Sequence, residues 1–311
     1  MSRPVRFLAT LMGLSFLAPA AAGQPSRAML GRWDVTVTGP QSRFPSWFEL
    51  CDTGAGTAMR MVYVVGGVRD VPYCEIGDGT LRFVVPTWND PYWRGPTFQG
   101  RFNGRFFTGT AQVGDQTLQW TAVRAPRLER RMPPRWGEPV ALFDGVDLRH
   151  WVHRTEGHPP CWLVRDGTLE VHPPCDDLVS RERFTDFQLH AEFRVEPGGD
   201  SGVWLRGRYE IQIRDGVGAE SPSGATGSIY RFLAPSADVA RAAREWQDLD
   251  ATLIGRRVTV ALNGTTIIDD EEIPGITGGA LDSDEGEPGP IMLQGTEGEV
   301  WFRNIVVTPV R

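Results

Sequence analysis

Lysine is absent from all 311 residues, so each of the 32 basic residues is an arginine. A Schiff-base lysine, a lysine general base and the phosphate-binding lysine of a P-loop are therefore excluded. No Gly-x-Ser-x-Gly elbow, His-Glu-x-x-His pair or dinucleotide fingerprint occurs, which argues against an α/β serine hydrolase, a zincin and any nucleotide cofactor. Beyond the first residues no apolar run is long enough to cross a bilayer as a helix. The formal charge of −7 suits neither nucleic acid nor an anionic membrane as partner.

What is present begins with Arg3 and Arg6, an apolar stretch from Phe7 to Leu17, and Ala20-Ala21-Ala22. This layout predicts a cleavable export signal over residues 1–22 and a periplasmic or secreted mature protein. In an oxidising compartment the four cysteines read as disulfides, with Cys51 to Cys74 and Cys161 to Cys175 the preferred of three pairings. His158-Pro159-Pro160-Cys161 and His172-Pro173-Pro174-Cys175 also offer a two-His, two-Cys zinc set, which an intact Cys161–Cys175 bridge would exclude.

From Gly31 the chain reads as eight short alternating strands with hairpin signals at Asp78-Gly79 and Asn103-Gly104, predicting a small antiparallel, lipocalin-like β-barrel over residues 23–125. Trp33, Trp47, Trp88, Trp93 and Trp120 serve its core or line a ligand mouth. Residues 126–139, rich in Arg and Pro, read as a solvated linker. Residues 140–311 hold longer strands, Asp166-Gly167 and Asn263-Gly264 hairpins, and one helical turn over Ala237 to Arg244, a pattern for a two-sheet β-sandwich. The acidic runs Asp269 to Glu272 and Asp282 to Glu287 read as solvated loops.

Side chains on a strand alternate between faces. If the strands containing Phe187 to Arg194, Val203 to Arg206, Tyr209 to Ile213 and Ile291 to Gln294 are neighbours, one face gathers His190, Glu192, Trp204, Arg206, Glu210, Gln212 and Gln294. An aromatic platform among Arg, carboxylates and amides is the chemistry of a saccharide site.

Ordered motifs continue the pattern. They include Ala141-Leu142-Phe143-Asp144-Gly145, Ser201-Gly202-Val203-Trp204-Leu205-Arg206, Tyr209-Glu210-Ile211-Gln212-Ile213-Arg214-Asp215, Thr226-Gly227-Ser228-Ile229-Tyr230 and Phe302-Arg303-Asn304-Ile305. Over about residues 140 to 309 the chain resembles the 3-keto-disaccharide hydrolase family. The resemblance implies a concanavalin-like jelly roll that cleaves sugars oxidised at C3 by lyase and hydratase steps, downstream of a separate sugar oxidoreductase. A C3 ketone acidifies the C2 proton, so the chemistry needs a base, an electrophile for the enolate oxygen and help for the leaving group.

On that reading Glu210 is the base, and Arg206, or a bound divalent metal ion, stabilises the enolate. Glu192 and Asp215 are alternative acid/base or metal-binding groups. Trp204, Gln212, Gln294, His190 and Tyr230 bind substrate. Glu297 stands where the family often has His and would take over its role. Two further readings use the same face: a β-glucanase-type glycosidase, from the spacing of Glu210, Gln212 and Asp215, and a non-catalytic carbohydrate-binding protein.

Overall fold

A computed structural model of the protein describes residues 26–40, 43–54, 56–64, 66–86, 95–128, 133–215, 221–295 and 298–311. The leader-like segment, Trp88, Trp93 and Glu297 lie outside these residues. No helix among them is long and apolar enough to cross a membrane.

The N-terminal strands are β1 (Gly31–Thr38), β2 (Arg43–Asp52), β3 (Thr57–Val62), β4 (Arg69–Asp70), β5 (Cys74–Ile76), β6 (Thr80–Val84), β7 (Thr97–Phe102), β8 (Phe107–Val113) and β9 (Gln116–Arg124). They form one curled antiparallel sheet in the order β4-β3-β2-β1-β9-β8-β7-β6-β5. β4 and β5, adjacent in sequence, thus lie one at each end of the sheet. Pro72, which has no amide hydrogen to give to a ladder, sits between them. On one side Val71 donates to Met59, and on the other Tyr73 accepts from Val84. Inside the curl Trp33, Phe48, Phe83, Phe98, Phe107 and Trp120 are buried, each ring contributing about 1.5–3 kcal/mol by leaving water.

The second half contains β10 (Val140–Phe143), β11 (Trp151–His153), β12 (Trp162–Arg165), β13 (Thr168–Val171), β14 (Leu178–Ser180), β15 (Phe187–Val195), β16 (Asp200–Leu205) and β17 (Tyr209–Arg214). It continues with β18 (Gln247–Ile254), β19 (Arg257–Leu262), β20 (Thr265–Glu272), β21 (Met292–Leu293) and β22 (Val300–Pro309). One sheet runs β12-β13-β22-β15-β18-β19-β20, with β10 also on β22, and the other runs β11-β14-β21-β16-β17. Their facing sides enclose one apolar core, giving a concanavalin-like sandwich. Asn263 and Gly264 both take positive φ, as a tight hairpin between β19 and β20 requires.

Three local expectations are corrected. Ala237 to Arg244 is not helical. Side-chain amides satisfy its backbone instead: Gln247 accepts from the Arg241 amide at 2.9 Å and donates to the Arg241 carbonyl at 2.8 Å, while Asn263 donates to Val239. The described part of the linker is docked, with Pro126 accepting from Arg256 and Gly137 donating to Pro309. Cys51 and Cys74 are free thiols, because they lie on β2 and β5, well apart in the strand order.

Cys161 and Cys175 are bridged. The bridge closes a loop with a sequence separation of 14. Its removal in a Cys161→Ser/Cys175→Ser variant should cost about 3 kcal/mol through the freed entropy of the unfolded chain. Urea unfolding of the two proteins measures this directly.

The acidic run at 282–287 is not a solvated loop but the clasp between the two halves. Glu285 is buried, and it accepts from Arg32 of β1 and from Tyr209 of β17. Arg32 also donates to the Pro274 carbonyl. Trp47 Nε1 donates to Ile276 at 3.0 Å, and its ring packs on Phe232. Gly279 donates to Val64 at 2.9 Å. The outer face of the curled sheet is thereby sealed onto one end of the sandwich.

Candidate functional site

The pocket begins with a register. β16 and β17 pair so that Asp200 faces Arg214, Gly202 faces Gln212 and Trp204 faces Glu210. All six share one face of the sheet, because alternate residues project the same way. Gln294, at the end of β21, sits beside them, its amide bonded to the Gly202 carbonyl at 3.0 Å.

That face is roofed rather than open. Residues 227–230 run along the free edge of β17, with Gly227 and Ser228 bonded to Gln212 and Tyr230 bonded to Glu210. Gly278, Gly279 and, from the N-terminal half, Gly66 complete the rim of a cavity of about 330 Å³. Glycine at 279 is needed twice over: its φ is +99°, and a Cβ there would stand 2.9 Å from the Trp204 ring. Gly67 presses on Arg231 from above. Burial is therefore deep, with Glu210 5%, Gln212 2% and Trp204 4% exposed.

The lining is polar and mixed in charge. Arg154, Arg214 and Arg231 stand among Asp177, Asp200 and Glu210. Arg154 holds Asp177 at 2.9 Å, and Asp177 also accepts from the Gly295 amide. Gln212 Nε2 donates to Asp200 at 2.5 Å, fixing that amide. Trp204 Nε1 is buried without a partner among the described residues, leaving a donor for a ligand oxygen. A methyl group on Gly202 would meet Glu210 Oε1 at 2.8 Å and Gln294 Oε1 at 3.1 Å, so glycine lets both side chains lie flat across the strand.

Glu210, Gln212, Trp204, Gln294 and Tyr230 all line this cavity. Four other expected residues do not, and the reasons differ. His190 and Glu192 are on β15, in the opposite sheet, where His190 pairs with Asp250 at 2.8 Å and Glu192 with Arg303 and Asn304. The chain crosses between the sheets at residues 196–199, so β15 and β16 are not neighbours. Arg206 lies past the end of β16 with φ +55°, and this turn carries its guanidinium away from the Trp204 face. There it is fully buried, donating to Tyr209 Oη at 2.9 Å and Gly255 at 2.7 Å. Asp215 lies beyond β17 and accepts from the Gly198 amide at 3.0 Å.

Two residues missed by the strand reading were within its reach. Asp200 and Arg214 extend the same alternation by one step on each strand. Arg154, Asp177 and Arg231 come from irregular segments, where no periodicity exists to reveal them.

The three pocket carboxylates are not drawn into a metal-ligand set. Among the described residues one group has ligand atoms all within 4.8 Å, and it is His153, His158 and Cys161 outside the cavity. Burial and the facing His158 push the His153 pKa down.

A family model described as "3-keto-alpha-glucoside-1,2-lyase-like domain" matches residues 138–308. Similar solved structures include two candidate glycosyl hydrolases of Parabacteroides distasonis. One is 29% identical over 59% of this chain and 94% of its own, with a TM-score of 0.48. Another is 24% identical over 56% of this chain and 100% of its own, with a TM-score of 0.45. No curated protein matches the chain.

Proposed function

Because the chain belongs to the 3-keto-alpha-glucoside-1,2-lyase-like family, we propose that it cleaves the glycosidic bond of sugars already oxidised at C3. The single observation that carries this is Glu210, a buried carboxylate among arginines and amides in a sugar-sized cavity. Glu210 removes the C2 proton, electrons move into the enolate, and the C1–O bond then breaks as the ketone re-forms, the aglycone oxygen leaving with the proton that Glu210 gives back. Water adds across the resulting double bond, so the net change is hydrolysis.

Arg206 has no part in this scheme, since it is spent on Tyr209 and Gly255. The arginines lining the cavity, Arg154, Arg214 and Arg231, supply the positive field for the enolate oxygen. Trp204 provides an apolar platform, and its free Nε1–H and the amides of Gln212 and Gln294 meet hydroxyls. The steps above are assigned to this chain's own side chains, and none is routed through a divalent cation. The β-glucanase reading loses support, because Asp215 is turned to Gly198 rather than to the cavity. An exported location, and a separate oxidoreductase that supplies the ketone, belong to the same proposal.

Reaction in D₂O tests the chemistry. Elimination followed by hydration delivers a solvent deuteron to C2 of the released sugar, whereas direct hydrolysis leaves C2–H intact. Deuterium at C2 during the first turnovers is the expected result, and its absence would remove the elimination step.

Gly202→Ala offers a second check on the same residue. The added methyl pushes on Glu210 Oε1, which should cost about tenfold to a hundredfold in kcat through misplacement. Thermal unfolding and kinetics measured together separate this from loss of fold.

A further inference from the structure

Behind the pocket wall the disulfide stands beside two histidines. The Sγ of Cys161 and a ring nitrogen from each of His153 and His158 lie within 4.8 Å of one another. His158 Nδ1 is 3.7 Å from Cys161 Sγ, and the Cys175 sulfur is bonded to that same Cys161 sulfur. His153 Nδ1 is buried without a partner. His172, from the second His-Pro-Pro-Cys repeat, points elsewhere, to Glu170 and Glu299.

We propose that His153, His158, Cys161 and Cys175 form a zinc site that is closed while the disulfide stands and opens when it is reduced. Zinc prefers four nitrogen and sulfur ligands in a tetrahedron, with neighbouring ligand atoms roughly 3.3–3.8 Å apart given its ordinary bond lengths. Three of the four ligand atoms already lie within 4.8 Å of one another; completing the set requires the Cys175 sulfur to swing away from Cys161 and the His158 ring to leave the Pro159 carbonyl, to which its Nδ1 donates at 2.8 Å. Reduction requires a dithiol: its two thiols become a disulfide as the Cys161–Cys175 bond becomes two thiols. A zinc ion then takes both sulfurs as thiolates and releases their two protons.

The site abuts the catalytic wall. His153 precedes Arg154, which lines the cavity and holds Asp177, and Cys175 precedes Asp176, which accepts from the Thr155 amide. The proposal nonetheless stands independently of the sugar chemistry, because its test reads metal and not turnover.

The experiment uses the full chain with Cys51→Ser and Cys74→Ser, so that only the bridge thiols remain. Oxidised and dithiol-reduced samples, freed of reductant without air, are titrated with Zn²⁺ against a chromophoric chelator and with Co²⁺ by absorption. The reduced chain is expected to bind one ion, with the thiolate-to-cobalt band and the intense visible bands of tetrahedral Co²⁺, while the oxidised chain shows neither. His153→Ala should weaken zinc binding by an order of magnitude or more, and His172→Ala should leave it unchanged. Equal binding by the two redox forms would overturn the site, as would indifference to His153→Ala or an equal loss in His172→Ala. A reduced chain that loses its β-sheet circular dichroism and does not regain it with zinc would also count against it.

Discussion

Glu210→Gln should lower kcat on a 3-keto-glucoside by about 10²–10⁴-fold, the range ascribed to one positioned general base, with KM and thermal stability expected to change little. Glutamine keeps the shape that fits against Gly202 and Gln294, and the strand pairing of Glu210 with Trp204 is made by backbone. What it loses is the ability to take a proton. The same variant should deliver no deuterium to C2 above the uncatalysed rate. Arg206→Met serves as the contrast, since Arg206 lies outside the cavity, fully buried behind β16. Its loss should appear mainly as lowered stability. A Glu210→Gln enzyme that keeps its turnover would move the base to another of the pocket carboxylates.

Glu285→Ala should destabilise the fold by about 3–5 kcal/mol, the cost of breaking a buried ion pair from one side. Glu285 accepts from Arg32 and, at 2.7 Å, from Tyr209, with Arg256 at 3.9 Å, so its removal strands buried donors from both halves of the chain. Urea unfolding gives the number.

The same cluster imposes a pH dependence. Asp34, on β1, has its pKa pushed up from 3.8 to about 8, mainly by burial and then by the charge of Glu285, against the pull of Arg32 and Arg256. Between these values the folded protein holds a proton that the unfolded chain has released. Stability from this group is therefore greatest below about pH 4, falls as pH climbs towards 8, and levels off above it. Asp34→Asn should flatten that decline, and Glu285→Ala should make it shallower by removing the negative neighbour.

Much of the sandwich was legible because its rules are local. Alternation along β16 and β17 placed Trp204, Glu210 and Gln212 on one face, and Asn-Gly dictated the β19–β20 hairpin. Alternation says which residues share a face of a strand, but not which sheet the strand joins. His190 and Glu192 alternate correctly on β15, yet that strand belongs to the opposite sheet. Arg206 fails for another reason: counting by twos assumes extended backbone, and at φ +55° the strand has already ended. The roof was invisible for a third. Gly66, Arg154 and Asp177 reach the cavity from loops, and the acidic run around Glu285 looks solvated until the partner arginine from β1 is known.

The most direct test of the central claim is to follow aglycone release by the protein from a 3-keto-glucoside and from its unoxidised parent. The account predicts release from the keto form alone, because only a C3 ketone makes the C2 proton removable by Glu210. Equal release from the parent would identify an ordinary glycosidase, and release from neither, with tight binding of intact sugar, would make the pocket a binding site; both results contradict it.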